Sequence, residues 1–541
     1  MKIRLAQINP IVGDIEYNSK LIKNTIKSSE KFDILVFPEL ALTGYPPQDL
    51  LFDNKFIKEV EKALVDIEKC VKHQAVILGL PMYDGDLLMN SAVVMQNGQV
   101  VGYHSKVLLP TYDVFDETRY FTSSDKISPI KVFINNKEVS LGIQICEDLW
   151  DESYSTKITK TLIDKGAEMI VNISASPYRK KILDKRLVLC RDKCKDLKYY
   201  FIYCNIVGGQ DELVFDGRSF ILDNRGDIKA FGGSFKEDMV DFDSSHSESL
   251  DDPLYHIDES EELFNALSLG LSDYFKKSGF QKAVIGLSGG IDSAITAAIA
   301  VDAIGKDNVI GVSMPSSFSS NHSKSDAKIL ADNLGIRFET IPINELYEKA
   351  LSNMGSFFKD TPRGLAEENL QARIRGNILM SISNKIGALV LNTGNKTELA
   401  LGYCTMYGDM CGAIGVISDI NKLEVYEVSN WINKNSDKIL IPENSINKIP
   451  SAELSENQYD PFDYNIVSPI VDYIINDLYD ADTLIELGYD SVLISDIFNK
   501  IHKSEYKRRQ ASPGIKVSEK AFGMGRRYPI NNQYRYEKCK K

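Results

Sequence analysis

"IGLSGGIDSAI" (residues 285–295) runs from an apolar, β-branched stretch through Gly289 and Gly290 into a small-residue helix, "DSAITAAIAVDAIG". Phosphate-binding turns are built this way: the glycines let backbone close on an anion, and the helix presents free N–H groups and its positive end. Ser288 and Ser293 add hydroxyl donors. A Walker turn, GxxxxGK[ST], would carry a lysine to the β- and γ-phosphates. Here Asp292 occupies the mouth, which suits an oxygen ligand for Mg²⁺ and a metal–pyrophosphate leaving group. A bare pair of glycines before a helix is only a tight turn; the full string is far more specific.

Around this turn, "AVIGLSGG", "NVIGVSMP", "RFETIPI" and "ALVLNTGN" are strand candidates separated by helix-like segments. That is the βαβ rhythm of a doubly wound parallel sheet, in which ligands sit at strand carboxyl ends. Both "LSGGIDS" and "LNTGNKTE" fall at such ends. The first half has strands of its own, in "DILVFPEL", "AVILGLP", "SAVVMQNGQVVGYHSK", "SLGIQICEDLW", "MIVNISASPY" and "YYFIYCNIVGG", with a hairpin turn at "QNGQ". Between the halves, "DFDSSHSESLDDPLYHIDESEE" is acidic, serine-rich and without strand period. The expected division is a first domain over 1–245, a linker over 246–262 and a second domain over 263–541.

At 541 residues and 43% hydrophobic the chain is long enough for two large cores. Its net charge of −13 disfavours general binding to polyanions or anionic membranes. "MKIRLAQINPIVG" enters a strand at once, and no run approaches the roughly 18 apolar residues of a membrane span; the expectation is a soluble, cytoplasmic protein. Eight cysteines without a CxxC pair read as thiols rather than a disulfide framework, Cys190 and Cys194 as packing residues. Residues 503–541 hold 12 Lys and Arg against 3 Glu. Phe522, Tyr528 and glycine turns within that run suggest a folded segment meeting an anionic dinucleotide or a subunit, with no nucleic-acid partner.

"SGGIDS" resembles the signature of the N-type ATP pyrophosphatases, which adenylate a carbonyl oxygen so that a nucleophile, often ammonia, can displace AMP. A source of ammonia is suggested upstream. Cys146 ends an apolar strand in "GIQICEDLW"; alone it would be a core residue. Glu39 follows the strand of "LVFPEL", where a carboxylate is costly unless paired or functional. Lys106 sits at a similar strand end in "YHSKVLLP". In this order the three resemble the nitrilase superfamily of amidases over about residues 1–245. The resemblance implies an αββα sandwich in which Glu39 is general base, Cys146 the nucleophile, Lys106 the oxyanion cation and Glu117 a second carboxylate. A cysteine beside a lysine is expected to gain thiolate character.

"GYPPQDLLF" and "PTYDVFDE" look like the glutaminase form of that fold, with Tyr45, Tyr112 and Ser176 as substrate contacts. Arg179, Lys180 and Lys181 of "SASPYRKK" compete for the glutamine carboxylate, in a stretch one residue shorter than the family's; Lys181 is carried as the site residue. In the second half, "NLQARIRGNILM", "NTGNKTELALGYCTMYGD", "NKIPSAEL" and "EYKRRQASPGIKVSEKAFGMGRRYPI" resemble the glutamine-dependent NAD⁺ synthetases, so the resemblance covers nearly the whole chain. It implies a Rossmann-like ATP pyrophosphatase domain with Asp292 and Glu398 on Mg²⁺. Ser288, Gly289, Gly290, Ser293 and Thr393 would meet ATP, and Arg373, Lys396, Asp409, Lys422, Ser451 and Lys507 deamido-NAD⁺. Between the two arginines of "QARIRG", Arg373 is favoured over Arg375. The implied partners are glutamine, ATP and deamido-NAD⁺, with Mg²⁺, no covalent cofactor and a homo-oligomeric state. Two rivals are an amidotransferase acting on another nucleotide or a tRNA base, and a nucleotide-regulated scaffold whose amidase half has decayed.

Overall fold

The computed structural model describes residues 1–246, 250, 257–358, 361–455 and 458–536. The chain forms two compact units, Met1–Ile257 and Asp258–Lys541. Of the acidic stretch expected to link them, 247–249 and 251–256 lie outside the described residues. Its last residues are helical. Asp258 accepts from the amides of Ser260 and Glu261 and caps the helix Glu259–Ser278, whose first turn holds Glu259, Glu261 and Glu262. Carboxylates there complement the helix dipole, so this part of the charge run is a helix start.

The first unit is a four-layered αββα sandwich. One six-stranded sheet runs Asp238–Asp243, Lys2–Gln7, Ile34–Val36, Ala75–Asp84, Leu87–Gln96, Gln99–Ser105. The other runs Ile228–Phe231, Phe220–Asp223, Tyr200–Asn205, Met169–Ser174, Lys137–Ile145, Ile130–Ile134. Leu5, Val36 and Ile77 of the first sheet meet Ile143, Val171 and Ile202 of the second in the middle layer. The helices Ile15–Ser28 and Asn54–Glu68 cover the first sheet through Ile22, Ile26, Ile57 and Val60. Ile158–Asp164 and Ile182–Lys193 cover the second through Leu162, Leu183 and Leu187, with Cys190 and Cys194 buried among them as packing residues. Central strands are therefore buried on both faces and read as unbroken apolar runs. At the hairpin, Asn97 and Gly98 both have positive φ, 53° and 73°, as a type I′ turn demands.

Three of the four expected catalytic residues leave strand ends, Glu39 beyond Ile34–Val36, Lys106 after Gln99–Ser105 and Cys146 after Lys137–Ile145, while Glu117 opens the short 3-10 helix Glu117–Arg119. Gly79, on Ala75–Asp84, makes room for the first of these. A Cβ there would lie 2.5 Å from the Leu40 nitrogen and 2.8 Å from Glu39 Cα.

The second unit carries a five-stranded parallel sheet in the order Arg337–Thr340, Val309–Ser313, Lys282–Gly286, Ala388–Asn392, Ile414–Gly415. Chain order reverses between Lys282–Gly286 and Ala388–Asn392, which is where such sheets open a ligand crevice. The phosphate turn follows the first of these strands and "NTGNKTE" the second. The helices Tyr464–Ile475, Ala481–Glu486 and Ser491–Lys503 form a separate core, against which Phe522 and Tyr528 of the basic tail pack. The tail is folded as far as it is described; 537–541 lie outside the described residues. Among the described residues no helix is long and apolar enough to cross a membrane.

Gly79→Ala should destabilise the first unit by about 2 kcal/mol, because backbone rather than a pliable side chain must yield. Urea denaturation checks this; an unchanged midpoint would contradict the tight crossing.

Candidate functional site

In the first unit a buried ammonium holds two buried carboxylates. Lys106 Nζ donates to Glu39 Oε1 and to Glu117 Oε1, both at 2.8 Å. Glu39 Oε1 also accepts from Asn90 Nδ2 at 2.8 Å, and its Oε2 from the Ala175 amide at 2.8 Å. Tyr45 donates to Glu117 Oε1 at 3.0 Å. Cys146 opens the turn Cys146–Leu149 with φ 45°, a left-handed conformation, and its thiol lies close enough to Glu39, Lys106 and Glu117 to feel their charges.

Burial, reinforced by Glu39 and Glu117, pushes the Cys146 thiol well above its ordinary pKa, and Lys106 opposes this without prevailing. That direction runs against the thiolate character expected beside Lys106 and favours a thiol from which a base takes the proton. Burial works against the Lys106 ammonium, but Glu117 and Glu39 hold its pKa well above the usual value. Burial raises Glu117, Lys106 lowers it and Glu39 raises it again, to about 7.

Around this centre, Tyr112 donates to Glu147 Oε2 at 2.8 Å and Tyr154 to Glu147 Oε1 at 3.0 Å. The Tyr45 hydroxyl is engaged on Glu117, so it orients that carboxylate. Ser176 is fixed from behind: its amide donates to Asn205 Oδ1 at 3.0 Å and its Oγ accepts from Arg186 Nη2 at 3.1 Å. Arg186, fully buried, also grips both oxygens of Asp216 at 2.9 Å. Lys181 is exposed and forms the left-handed N-cap of Ile182–Lys193. Arg179 is half-buried; burial lowers its pKa, and Asp113 and Tyr112 lie close enough to oppose the shift.

Two clefts open in the second unit. Both are lined by Ser288, Thr393, Asp409 and Glu453, so they meet at the phosphate turn. Gly289 has φ 80°, and a Cβ there would lie 2.3 Å from the Ser323 carbonyl oxygen. Ser288 Oγ accepts from the Gly290 amide at 3.2 Å, and Ser293 Oγ donates to the Gly290 carbonyl at 3.0 Å. Asp292 Oδ1 accepts from Asn395 Nδ2 at 3.0 Å, while its Oδ2 receives Lys422 Nζ. The same ammonium lies 3.7 Å from Glu398 Oε1. Burial and the facing Asp292 push Glu398 up to about 8, against Lys422. Burial opposes the Lys422 charge, but Asp292 and Glu398 keep its pKa above the ordinary value.

Asp409 and Ser451 are cleft-wall residues, held by the Thr405 amide on Asp409 Oδ1 at 2.7 Å and by Ser451 Oγ donating to the Gln458 carbonyl. Three expected dinucleotide contacts lie elsewhere. Lys396 is buried, its ammonium 3.5 Å from Asp419, 3.2 Å from Asp472 and bonded to Asn476 and Ser518. Lys507 donates to the carbonyls of Gly402 and Cys404 at 2.7 Å, closing the end of the helix Lys396–Leu401. Arg373 is exposed on the helix Leu365–Ile386, whereas Arg375 lines the second cleft. Lys448 lines the first cleft beside Glu453, at 2.9 Å, and was not singled out although it lies in the quoted "NKIPSAEL".

Asp292 and Glu398 converge on one cation position, now held by Lys422, and offer the oxygen donors Mg²⁺ prefers. Among the described residues no group of three or more His, Cys, Asp or Glu could hold a metal. A Mg²⁺ here would complete its shell with phosphate oxygens and water, as that ion usually does.

Fold and sites together define a class: an amidohydrolase unit joined to an ATP-dependent synthetase unit. The Carbon-nitrogen hydrolase family matches residues 2–247 and the NAD synthase family residues 263–511. The glutamine-dependent NAD(+) synthetase of Synechocystis sp. is 42% identical, covering 98% of both chains. That of Thermotoga maritima is 39% identical over 99% of both. The solved structure of the glutamine-dependent NAD+ synthetase from Acinetobacter baumannii, in complex with ADP, superposes with a TM-score of 0.79 at 35% identity and 98% coverage of both chains. The chain belongs to the glutamine-dependent NAD(+) synthetase family.

The Glu117 proton has a measurable sign. Its ordinary pKa is 4.5 and its folded value about 7, so the folded unit holds this proton more tightly. The contribution favours folding fully at low pH and is lost as pH rises through about 7. The urea stability of wild type relative to Glu117→Gln should therefore fall between pH 5 and 8. A difference independent of pH would contradict the shift.

Proposed function

We propose that the chain converts deamido-NAD⁺, ATP, glutamine and water into NAD⁺, AMP, pyrophosphate and glutamate, with the two reactions divided between its units. In the first, Glu39 takes the proton from Cys146 as Sγ attacks the glutamine amide. Lys106 stabilises the oxyanion, and Glu39 returns the proton to the departing ammonia. Water, deprotonated by Glu39, then hydrolyses the thioester and restores the thiol. Tyr112 and Ser176 line the glutamine subsite. Arg179, beside Tyr112 and less exposed than Lys181, is the better placed of the basic residues for the substrate carboxylate.

In the second unit, Ser288, Gly289, Gly290, Ser293 and Thr393 receive the ATP phosphates, and Lys448 adds a cation to the same cleft. The nicotinate carboxylate attacks the α-phosphorus, pyrophosphate leaves, and ammonia then displaces AMP from the adenylate. Asp292 and Glu398 would hold Mg²⁺, which when bound supplies charge neutralisation for the departing pyrophosphate. Asp409, Lys422, Ser451 and Arg375 face the deamido-NAD⁺ and nucleotide positions. The observation that carries this reading is the phosphate turn whose expected lysine is replaced by Asp292, facing Glu398 across Lys422. Such a turn transfers AMP rather than the γ-phosphate. The homo-oligomeric state belongs to this proposal as well.

Purified protein given Mg²⁺-ATP, glutamine and deamido-NAD⁺ should form NAD⁺, AMP and glutamate in equal amounts by chromatography. Asp292→Ala should lower AMP formation at least about a hundredfold with glutamine or ammonium as nitrogen source. Glutamate without NAD⁺ from the wild type, or undiminished AMP from the variant, would contradict the assignment.

A further inference from the structure

Two residues beyond the nucleophile lies Asp148, a carboxylate with no exposure and no role in the mechanism above. Its Oδ1 accepts from the amides of Val107 at 3.0 Å and Leu108 at 2.9 Å. Its Oδ2 accepts from the amide of Ile145 at 3.1 Å and pairs with His104 Nε2, also at 3.1 Å. These partners flank the reacting groups. Val107 and Leu108 follow Lys106, His104 precedes it by two residues, and Ile145 immediately precedes Cys146. They also come from different sheets: the strand Gln99–Ser105 belongs to one and Lys137–Ile145 to the other.

The Lys106 ammonium and the Cys146 thiol must share one substrate carbonyl, and in a sandwich their separation depends on how two sheets are docked. A buried carboxylate receiving donors from both strand ends fixes that separation locally. We propose that Asp148 is a positioning residue for the amidase reaction, clamping the lysine segment and the cysteine turn in register, with His104 holding the same carboxylate oxygen as the Ile145 amide. This rests on Cys146 and Lys106 acting as nucleophile and oxyanion cation.

All four donors address both oxygens, so an amide at this position must turn its NH₂ toward one pair of N–H groups. Asp148→Asn therefore breaks one arm of the clamp whichever way it is turned. Because misplacing reacting groups by about 1 Å costs on the order of 100-fold, kcat for glutamine hydrolysis should fall about that much. KM for glutamine should stay within about threefold, since the binding residues are elsewhere. Ammonium-dependent NAD⁺ formation by the same preparation should be unchanged, which shows that the chain has folded and that the synthetase unit is intact.

His104 gives a second route if Asp148→Asn fails to accumulate. His104→Leu removes this support and should lower kcat by about tenfold, whereas His104→Gln, which keeps an N–H donor, should restore most of the loss. Wild type measured alongside tests the underlying reading: if it hydrolyses no glutamine, that reading fails. If wild type is active, the clamp is overturned by three results. These are an Asp148→Asn enzyme with full kcat, a loss confined to KM, or His104→Leu and His104→Gln enzymes equally impaired.

Discussion

An ammonium ion loses several kcal/mol of hydration on burial unless carboxylates and hydrogen bonds replace it. Each unit of this chain is organised around one such ion. Lys106, with 1% of its side chain exposed, lies between Glu39 and Glu117. Lys422, with 2% exposed, lies between Asp292 and Glu398. Each lysine allows two acids to occupy a space where, unpaired, one would have to hold its proton. In each trio the second carboxyl is still pushed up by burial and by its acidic neighbour, Glu117 to about 7 and Glu398 to about 8.

The surroundings are built to hold these trios rather than to enlarge them. The Ala175 amide and Asn90 add donors to Glu39, and Tyr45 adds one to Glu117 Oε1. Asn395 does two tasks in the second unit, capping the helix Lys396–Leu401 and donating to Asp292. Glu39 and Lys106 follow strands, while Asp292, Glu398 and Lys422 sit in the first turns of helices, so regular backbone hydrogen bonding supplies the rigidity that loops lack. Gly79 and Gly289 mark the places where backbone had to pass within contact distance for this to happen.

The parts of this arrangement that are local were legible in the amino-acid sequence. Strands buried on both faces show as apolar runs, and Glu39 stands out as a carboxylate just after one, whereas Lys106 and Cys146 gain their meaning only from the order of all three. The phosphate turn is a contiguous string. What was not legible depends on tertiary direction. "NKTE" and "NKLE" each start a helix with the same capping box, Asn395 with Glu398 and Asn421 with Glu424. Yet Lys396 turns into a buried knot with Asp419 and Asp472 while Lys422 reaches the cleft. Within the two strings only the third position differs, Thr397 against Leu423. Arg373 and Arg375 are separated by more than half a helical turn, and packing alone decides which of them faces the cleft. The strands between 213 and 243 have four to six residues each and are recognisable mainly through their partners, as "DMVDFD" is through its antiparallel pairing with Lys2–Gln7.

The proposed division of labour requires that ammonia be produced in one unit and consumed in the other by chemistry that does not need the first. It is tested most directly with Cys146→Ala, supplied with Mg²⁺-ATP and deamido-NAD⁺ and given either glutamine or ammonium. The account predicts no NAD⁺ from glutamine and NAD⁺ formation from ammonium at the wild-type rate. Loss of both activities, or NAD⁺ from glutamine, would contradict it.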